Sequence, residues 1–427
     1  MEDYKVVGKI AEGRFGTVFV AAKVSTGEQV ALKKIRARRP MPGFTKDHWS
    51  KSAEREIEVL SSVRHEHVVA LLDHFVSPGG GTTLLVYEYL AWDLAGLLER
   101  RLPLAEEQAK AVLRMLLFGL AHLHLRSVMH RDLKPANLLV EGNTGILKIA
   151  DFGSARFCPE PSATSAAAAA KAEREAAGDV LAEVEGALDG EEGLLTREVC
   201  TRWYKSPEML FGSVDYTSSV DLWAVGCLAG ELLSPEGKAM FPGNSDLEQL
   251  CFIFQALGTV QEEEWPEVRQ LPDYGKVEFK AREPQPFEFE GRRSAPAVAL
   301  VRRFLQLTPA RRLAADSALH EEFFSAEPPP AEPSSLVRGL EGPAAGCGGP
   351  PEALSDGSFA PLRECDYGSD GSSFGCPGAE FEPVQIETTA CGLWDDLAVG
   401  GEAGEGPRTP LSPGSDAQPA PGAAAGP

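Results

Sequence analysis

The sequence predicts an α+β, bilobal fold: a small β-rich N-terminal lobe with one helix over about 4–89, then a larger, mainly helical lobe over about 91–324. Three observations predict it. Short β-branched runs alternate up to Tyr89, apolar residues recur at helical spacing from Leu90 onward, and beyond Phe324 the chain turns to Pro, Gly, Ala and acid.

In chain order, Lys5 to Ile10, Thr17 to Ala22, Gln29 to Ile35 and Thr83 to Tyr89 read as strands, because β-branched and aromatic side chains suit a pleated, half-buried surface. Ser52 to Val63 has the spacing of a helix. That spacing returns over Leu94 to Leu98, Ala109 to His124, Val220 to Leu233, Asp246 to Leu257 and Ala297 to Leu307. Two stretches break the texture. Pro159 to Leu195 contains SAAAAAKAEREAAG and an acidic run, and reads as a low-complexity insertion with a short helix capped at Ser165 and stopped at Gly178. The tail, 325–427, has three Arg and no Lys. It offers too little apolar surface to offset the entropy of ordering and reads as disordered.

Of 427 residues, 41 are Lys or Arg and 63 Asp or Glu, a net charge of -22 that disfavours nucleic acid and anionic membrane as partners and favours soluble protein. The eight cysteines include no CxxC pair, so reduced thiols in cytoplasm or nucleus are expected. MEDYKVVGKI shows no basic region followed by an apolar core, so no signal peptide is expected. The apolar run Ala109 to Leu125 is interrupted by Arg114, His122 and His124, and no run reaches the roughly 18 residues of a spanning helix.

The chemistry lies in four places. Ile10-Ala11-Glu12-Gly13-Arg14-Phe15-Gly16-Thr17-Val18 joins two expected strands, and its glycines let backbone amides approach phosphate oxygens with no Cβ in the way. Alone this is equally well a hairpin with incidental glycines. Val30-Ala31-Leu32-Lys33 puts a lysine on a strand, and Ala53-Glu54-Arg55-Glu56-Ile57 puts two candidate carboxylate partners on the following helix. The densest signal is His130-Arg131-Asp132-Leu133-Lys134-Pro135-Ala136-Asn137 followed by Asp151-Phe152-Gly153, where Asn137 and Asp151 supply hard oxygen ligands suited to Mg²⁺.

In this order and spacing these motifs resemble the eukaryotic serine/threonine protein kinases, and the resemblance covers about Tyr4 to Phe324. Thr201-Arg202-Trp203-Tyr204 and Gly258-Thr259 to Trp265-Pro266 are similar to the cyclin-dependent and MAP kinase group. More narrowly, Phe241 to Cys251 and Leu271-Pro272-Asp273-Tyr274 resemble the cell-cycle-related kinases, cyclin-dependent-kinase relatives linked to ciliary length control.

The resemblance implies the protein kinase fold and transfer of the γ-phosphoryl of Mg-ATP to Ser or Thr. Asp132 would be the base that orients the substrate hydroxyl, Lys134 would steady the phosphoryl, and Asn137 and Asp151 would hold Mg²⁺. Lys33 would hold the α- and β-phosphates and pair with Glu56, preferred to Glu54 because Arg55-Glu56-Ile57 matches the group. The nucleotide would lie against residues 10–18, Ala31, the hinge Glu88-Tyr89-Leu90, Asp93 near the ribose and Leu139 beneath the base, with Tyr87 as gatekeeper. Ala11 stands where the family has its first glycine. Ser206-Pro207-Glu208, Asp221 and Arg312 take structural roles, Arg312 pairing Glu208 and Asp221 tying down the catalytic loop.

Regulation is implied too. Thr196 stands at the spacing of an activating phosphothreonine, with Arg55, Arg131 and Arg156 to gather the phosphate and an upstream kinase to add it. Arg202 implies Ser/Thr-Pro substrates. The helix around Glu56 would meet a cyclin or another activator, although it lacks the serine-threonine-alanine spelling. Cytoplasm, nucleus and cilium are the implied locations. A pseudokinase scaffold is the competing class; Lys33, Glu56, Asp132, Asn137 and Asp151, all present in order, argue against it.

Overall fold

Five antiparallel strands form the small lobe: β1 (Tyr4–Gly13), β2 (Gly16–Lys23), β3 (Gln29–Arg36), β4 (Leu71–Val76) and β5 (Thr82–Glu88), in the order β1-β2-β3-β5-β4. The computed structural model describes residues 3–13, 16–36, 47–76, 82–101, 103–158, 201–340 and 397–398. Four of these strands lie where the β-branched runs predict them. The fifth, β4, escapes the sequence reading because Leu71-Leu72-Asp73-His74-Phe75-Val76 carries two polar residues at its centre, as an edge strand with one half-exposed face tolerates. Helix α1 (Asp47–Ser62) packs against the sheet with Ala53, Glu56, Val59 and Leu60 buried, spacings of three and four that make one face.

The large lobe is built on α2 (Leu94–Arg101), α3 (Glu106–Leu125), α4 (Ser219–Leu233), α5 (Asp246–Leu257) and α6 (Ala295–Phe304). Helices α3 and α4 run through the core: every residue of α4 is buried, and α3 is mostly buried from Ala109 to Leu123, with Arg114 and Phe118 exposed. Ser245 caps α5 by accepting the Glu248 amide at 3.1 Å, and Gly258 ends that helix with φ +83°. Arg312 lies over the Trp223 ring and donates from both terminal nitrogens to Glu208, at 2.6 and 2.7 Å, as the sequence leads one to expect. Short strands β6 (Trp92–Asp93), β7 (Val128–Met129), β8 (Leu138–Val140), β9 (Leu147–Ile149) and β10 (Arg156–Phe157) frame the cleft.

The reading of everything beyond Phe324 as disordered is corrected for residues 325–340. Lys110 on α3 is fully buried, and its ammonium donates to the carbonyls of Ala326 and Pro328, both at 2.8 Å. The Ala331 amide reaches the Glu107 carbonyl at 2.8 Å, and Leu336 and Val337 are buried. Gly145 has φ +73°, and a Cβ there would lie 1.9 Å from the Pro333 carbonyl oxygen. Prolines in this segment lack an N–H donor but still present carbonyls, and a buried ammonium requires acceptors. Further on, β12 (Leu397–Ala398) pairs antiparallel with β11 (Glu278–Phe279). The insertion 159–195 lies outside the described residues.

Truncation after Phe324 removes both acceptors of a buried cation, so it should cost about 3 kcal/mol or more and lower Tm, whereas truncation after Leu340 should leave Tm nearly unchanged. Thermal unfolding of the two truncated chains beside the full chain checks this. A second expectation concerns Glu231 on α4, which is 8% exposed and accepts the Tyr204 hydroxyl at 2.7 Å. Burial pushes its pKa up from 4.5 to about 7, against the pull of the Tyr204 bond. The folded protein therefore holds a proton that the unfolded chain has released, and stability falls as pH rises through this window. Glu231→Gln keeps the acceptor and removes the charge. It should stabilise the protein by about 3 kcal/mol at pH 8 and by little at pH 4.5, read from melting curves at each pH.

Candidate active site

Strand β3 and helix α1 bring the first pair together. The Lys33 ammonium donates to Glu56 Oε1 at 3.0 Å and Oε2 at 2.9 Å, and to Asp151 Oδ1 at 2.8 Å. Glu56 is 1% exposed while Glu54 points to solvent, so the structure selects Glu56, as the sequence reading does. Burial drives the Lys33 pKa down, but the two carboxylates outweigh it and leave it above the ordinary lysine value. Burial likewise raises Asp151, and Lys33 more than reverses this, holding it down to about 2. Both are ionised at neutral pH.

The second group is set by backbone. Asp221, near the start of α4, accepts the amides of His130 at 2.9 Å and Arg131 at 2.7 Å, and the His124 ring at 2.9 Å. Burial opposes ionisation of Asp221, yet the His124 hydrogen bond and charge lead the contacts that keep its pKa below the ordinary value. This clamp holds Arg131 at φ +66°, a left-handed conformation that a non-glycine residue keeps only when its surroundings fix it. Asp151 stands at φ +62°, and the His130 ring bonds the Ala150 carbonyl at 2.9 Å and meets Phe152 edge-on. The catalytic-loop and Asp-Phe-Gly segments are thus locked to each other.

Around Asp132 four groups converge. Asn137 Nδ2 donates to its carbonyl at 2.7 Å and to Oδ2 at 3.1 Å, Lys134 Nζ lies 3.0 Å from Oδ2, and the Thr201 amide donates to Oδ1 at 3.0 Å. The Thr201 hydroxyl accepts from Lys134 at 2.9 Å and donates to Oδ1 at 3.3 Å. Sequence reasoning used Thr201 only as a group mark; the threonine two residues short of the Trp was the available signal. Tyr87, expected only as gatekeeper by the resemblance, also donates its hydroxyl to Glu56 at 2.6 Å, a bond that no sequence signal marks.

The remaining expected nucleotide positions fall on β1 to β3, on the end of β5 and the two residues after it, and on β6 and β8. The β1–β2 hairpin leaves Ile10 at a register shift between the Lys9–Phe19 and Ala11–Val18 pairs, then pairs Glu12 with Thr17 and Gly13 with Gly16; a Cβ on Gly16 would lie 2.3 Å from the Lys34 carbonyl oxygen. Arg14, Phe15 and Thr196 lie outside the described residues. Ala31 pairs with Tyr87 across β3 and β5. The Glu88 carboxylate turns away to Lys148 at 2.8 Å and the Ala70 amide at 2.8 Å, Tyr89 and Leu90 are half-buried, and Leu139 pairs with Asp93. Asp93 accepts the Gly96 amide at 2.8 Å, and burial raises its pKa. Of the three arginines expected to gather a phosphate, Arg131 donates to the Ser154 carbonyl at 2.7 Å and the Tyr216 hydroxyl at 2.8 Å. Arg156 lies on β10 beside the catalytic loop and Arg55 on α1.

An ammonium between two carboxylates, a carboxylate gripped by lysine and asparagine, and a glycine hairpin above them are suited to holding polyphosphate and steering a hydroxyl towards it. The protein kinase domain model matches residues 4–324. Cyclin-dependent kinase 20 of Homo sapiens is 41% identical over 349 residues, covering 81% of this chain and 90% of that protein. The same-named protein of Danio rerio is 41% identical over 341 residues, 79% of this chain and 87% of its own length. Cyclin-dependent kinase D-1 of Oryza sativa subsp. japonica is 36% identical over 330 residues, 77% and 68% respectively. The chain therefore belongs to the protein kinase family, as a serine/threonine protein kinase of the cyclin-dependent kinase group that is similar to the cell-cycle-related kinases.

Proposed function

We propose that this kinase transfers the γ-phosphoryl of Mg-ATP to Ser or Thr followed by Pro, with Asp132 as the group that orients the acceptor hydroxyl and takes its proton. The observation that carries the reading is the convergence on Asp132. Asn137 and Lys134 fix one oxygen and Thr201 the other, so the carboxylate has one orientation towards the cleft. Lys134, within reach of the same oxygen, carries the positive charge that steadies a phosphoryl in transit. Lys33, already shared between Glu56 and Asp151, turns its ammonium to the α- and β-phosphates of ATP.

Asn137 and Asp151 fit a magnesium ion. Asn137 uses its amide nitrogen on Asp132, which leaves its carbonyl oxygen as the end for a cation, and Asp151 is ionised and held at the cleft by its left-handed backbone. Few protein ligands suffice, because magnesium usually keeps waters and takes oxygens from substrate phosphates. When bound, the ion neutralises charge on the β- and γ-phosphates.

Preference for proline rests on Arg202. It directly follows Thr201 and is held by Asp246 at 2.9 Å and the Asn244 carbonyl at 2.9 Å, beside the place where an acceptor peptide must lie. An activator on the α1 face is part of the reading, since the relatives are named cyclin-dependent kinases; a cyclin is the first candidate. So is activation at Thr196 by an upstream kinase, supported by Arg131 and Arg156 beside the catalytic loop. Roles in the cell cycle or in cilium or flagellum length, and residence in cytoplasm, nucleus or cilium, rest on the likeness to cell-cycle-related kinases.

Asp132→Asn should lower phosphoryl transfer to a Ser-Pro peptide by about a thousandfold or more while ATP affinity stays within a few fold, because the change touches proton acceptance and not the nucleotide pocket. Radiolabelled transfer and nucleotide titration measure the two separately, and a Ser-Ala peptide in the same assay should react more slowly than Ser-Pro. Thr196→Ala should show the low turnover of unphosphorylated enzyme and gain nothing from an activating kinase; turnover equal to that of the Thr196-phosphorylated chain would place the switch elsewhere.

A further inference from the structure

Tyr87 does something its position as gatekeeper does not require. It lies on β5, the strand flanked by β3 and β4, with its backbone paired to Ala31 on one side and Leu71 on the other, and it is 8% exposed. A buried phenol needs a partner for its one proton. Here that partner is a carboxylate, Glu56 Oε1, at 2.6 Å, the short distance of a charge-assisted bond. Burial, reinforced by the Glu56 charge, holds the phenol pKa well above its ordinary value, so the hydroxyl is a donor throughout the working pH range.

Glu56 therefore has two anchors of different kinds. One is Lys33, a mobile ammonium on a long stem that already divides itself between Glu56 and Asp151 and must also serve phosphates when ATP enters. The other is a neutral hydroxyl on a rigid ring in the sheet, for which phosphates do not compete. One turn before Glu56 on the same face, the Ser52 hydroxyl donates to the Gly153 carbonyl at 2.8 Å, so α1 is tied to the sheet by Tyr87 and to the Asp-Phe-Gly segment by Ser52.

We propose that Tyr87 is a positioning residue, whose hydroxyl holds Glu56, and with it helix α1, in the inward arrangement while Lys33 is drawn to the nucleotide. The proposal rests on the reading of Lys33 and Glu56 given above. It makes the inward helix partly intrinsic to this chain, so that an activator on the α1 face has less work to do than in a kinase with an apolar side chain at this position.

Tyr87→Phe tests it, since the ring stays and only the hydroxyl goes. The full chain, Tyr87→Phe, Glu56→Gln and the double variant are compared in ATP-titrated turnover of a Ser-Pro peptide, in thermal unfolding, and in amide exchange over residues 52–62. Loss of one hydrogen bond to a charged group should lower kcat about tenfold with the KM for ATP changed less than about threefold, and should speed exchange along α1. In the Glu56→Gln background Tyr87→Phe should change turnover less than about twofold, because the partner charge has already gone. Wild-type turnover and α1 exchange in Tyr87→Phe, with Glu56→Gln impaired, would overturn the proposal and leave the Lys33–Glu56 reading intact. So would an equal loss in both backgrounds, which would mark the hydroxyl as packing alone. Full activity of Glu56→Gln would remove the pair's role and the proposal together.

Discussion

One ammonium between two carboxylates sets the terms for the rest of the molecule. Lys33 lies between the Glu56 and Asp151 side chains in a site where burial penalises the charged forms of Lys33 and Asp151. Such a group is weak as a source of stability, because desolvation consumes most of the Coulomb gain. It is strong as a constraint: removing any member strands the others, so β3, α1 and the Asp-Phe-Gly segment must keep their relative positions. The sheet supplies the rigid side, with Lys33 paired to Val18 and Leu85, and α1 supplies the adjustable side. Tyr87 and Ser52 add two further ties to that helix, to Glu56 and to the Gly153 carbonyl.

The large lobe answers with a second buried carboxylate. Asp221 grips two consecutive amides of the catalytic loop, and the strained conformation of Arg131 is what lets both point the same way. That arrangement connects α4, the most deeply buried helix, to Asp132 through three residues of backbone. Mutations along α4 far from the cleft should be felt there as geometry before they are felt as stability. The two carboxylate frames meet at His130 and Phe152, whose edge-on contact joins the loop that bears Asp132 to the segment that bears Asp151.

What the sequence makes legible follows the range of the interactions. The segment from His130 to Asn137 is legible because its chemistry is contiguous, and Lys33 with Glu56 because one strand and the next helix carry them. Strand β4 was not, since Asp73 and His74 break the apolar run, and β6 to β9 are two or three residues long, too short for any period. Residues 325–340 look disordered by composition because what orders them, Lys110, lies more than two hundred positions upstream. The hydroxyls of Tyr87 and Thr201 are hidden for a related reason: one atom on a residue already explained by family position or spelling gives no separate signal.

Thr201 also bears on how a kinase can carry so long an activation segment. On one side of residues 159–200 the chain is fixed by the pairing of Arg156 and Phe157 with β7 and by the Cys158 amide on the Ser127 carbonyl. On the other side Thr201 is bonded to Asp132 and Lys134, and Arg202 and Lys205 both reach Asp246. Each doubling of the length between two fixed points costs only about 0.6 kcal/mol in closure entropy. The contacts that orient Asp132 thus come from Asn137 and Lys134 in its own loop and from Thr201 at the anchored end. Length between the anchors is free to vary without disturbing Asp132.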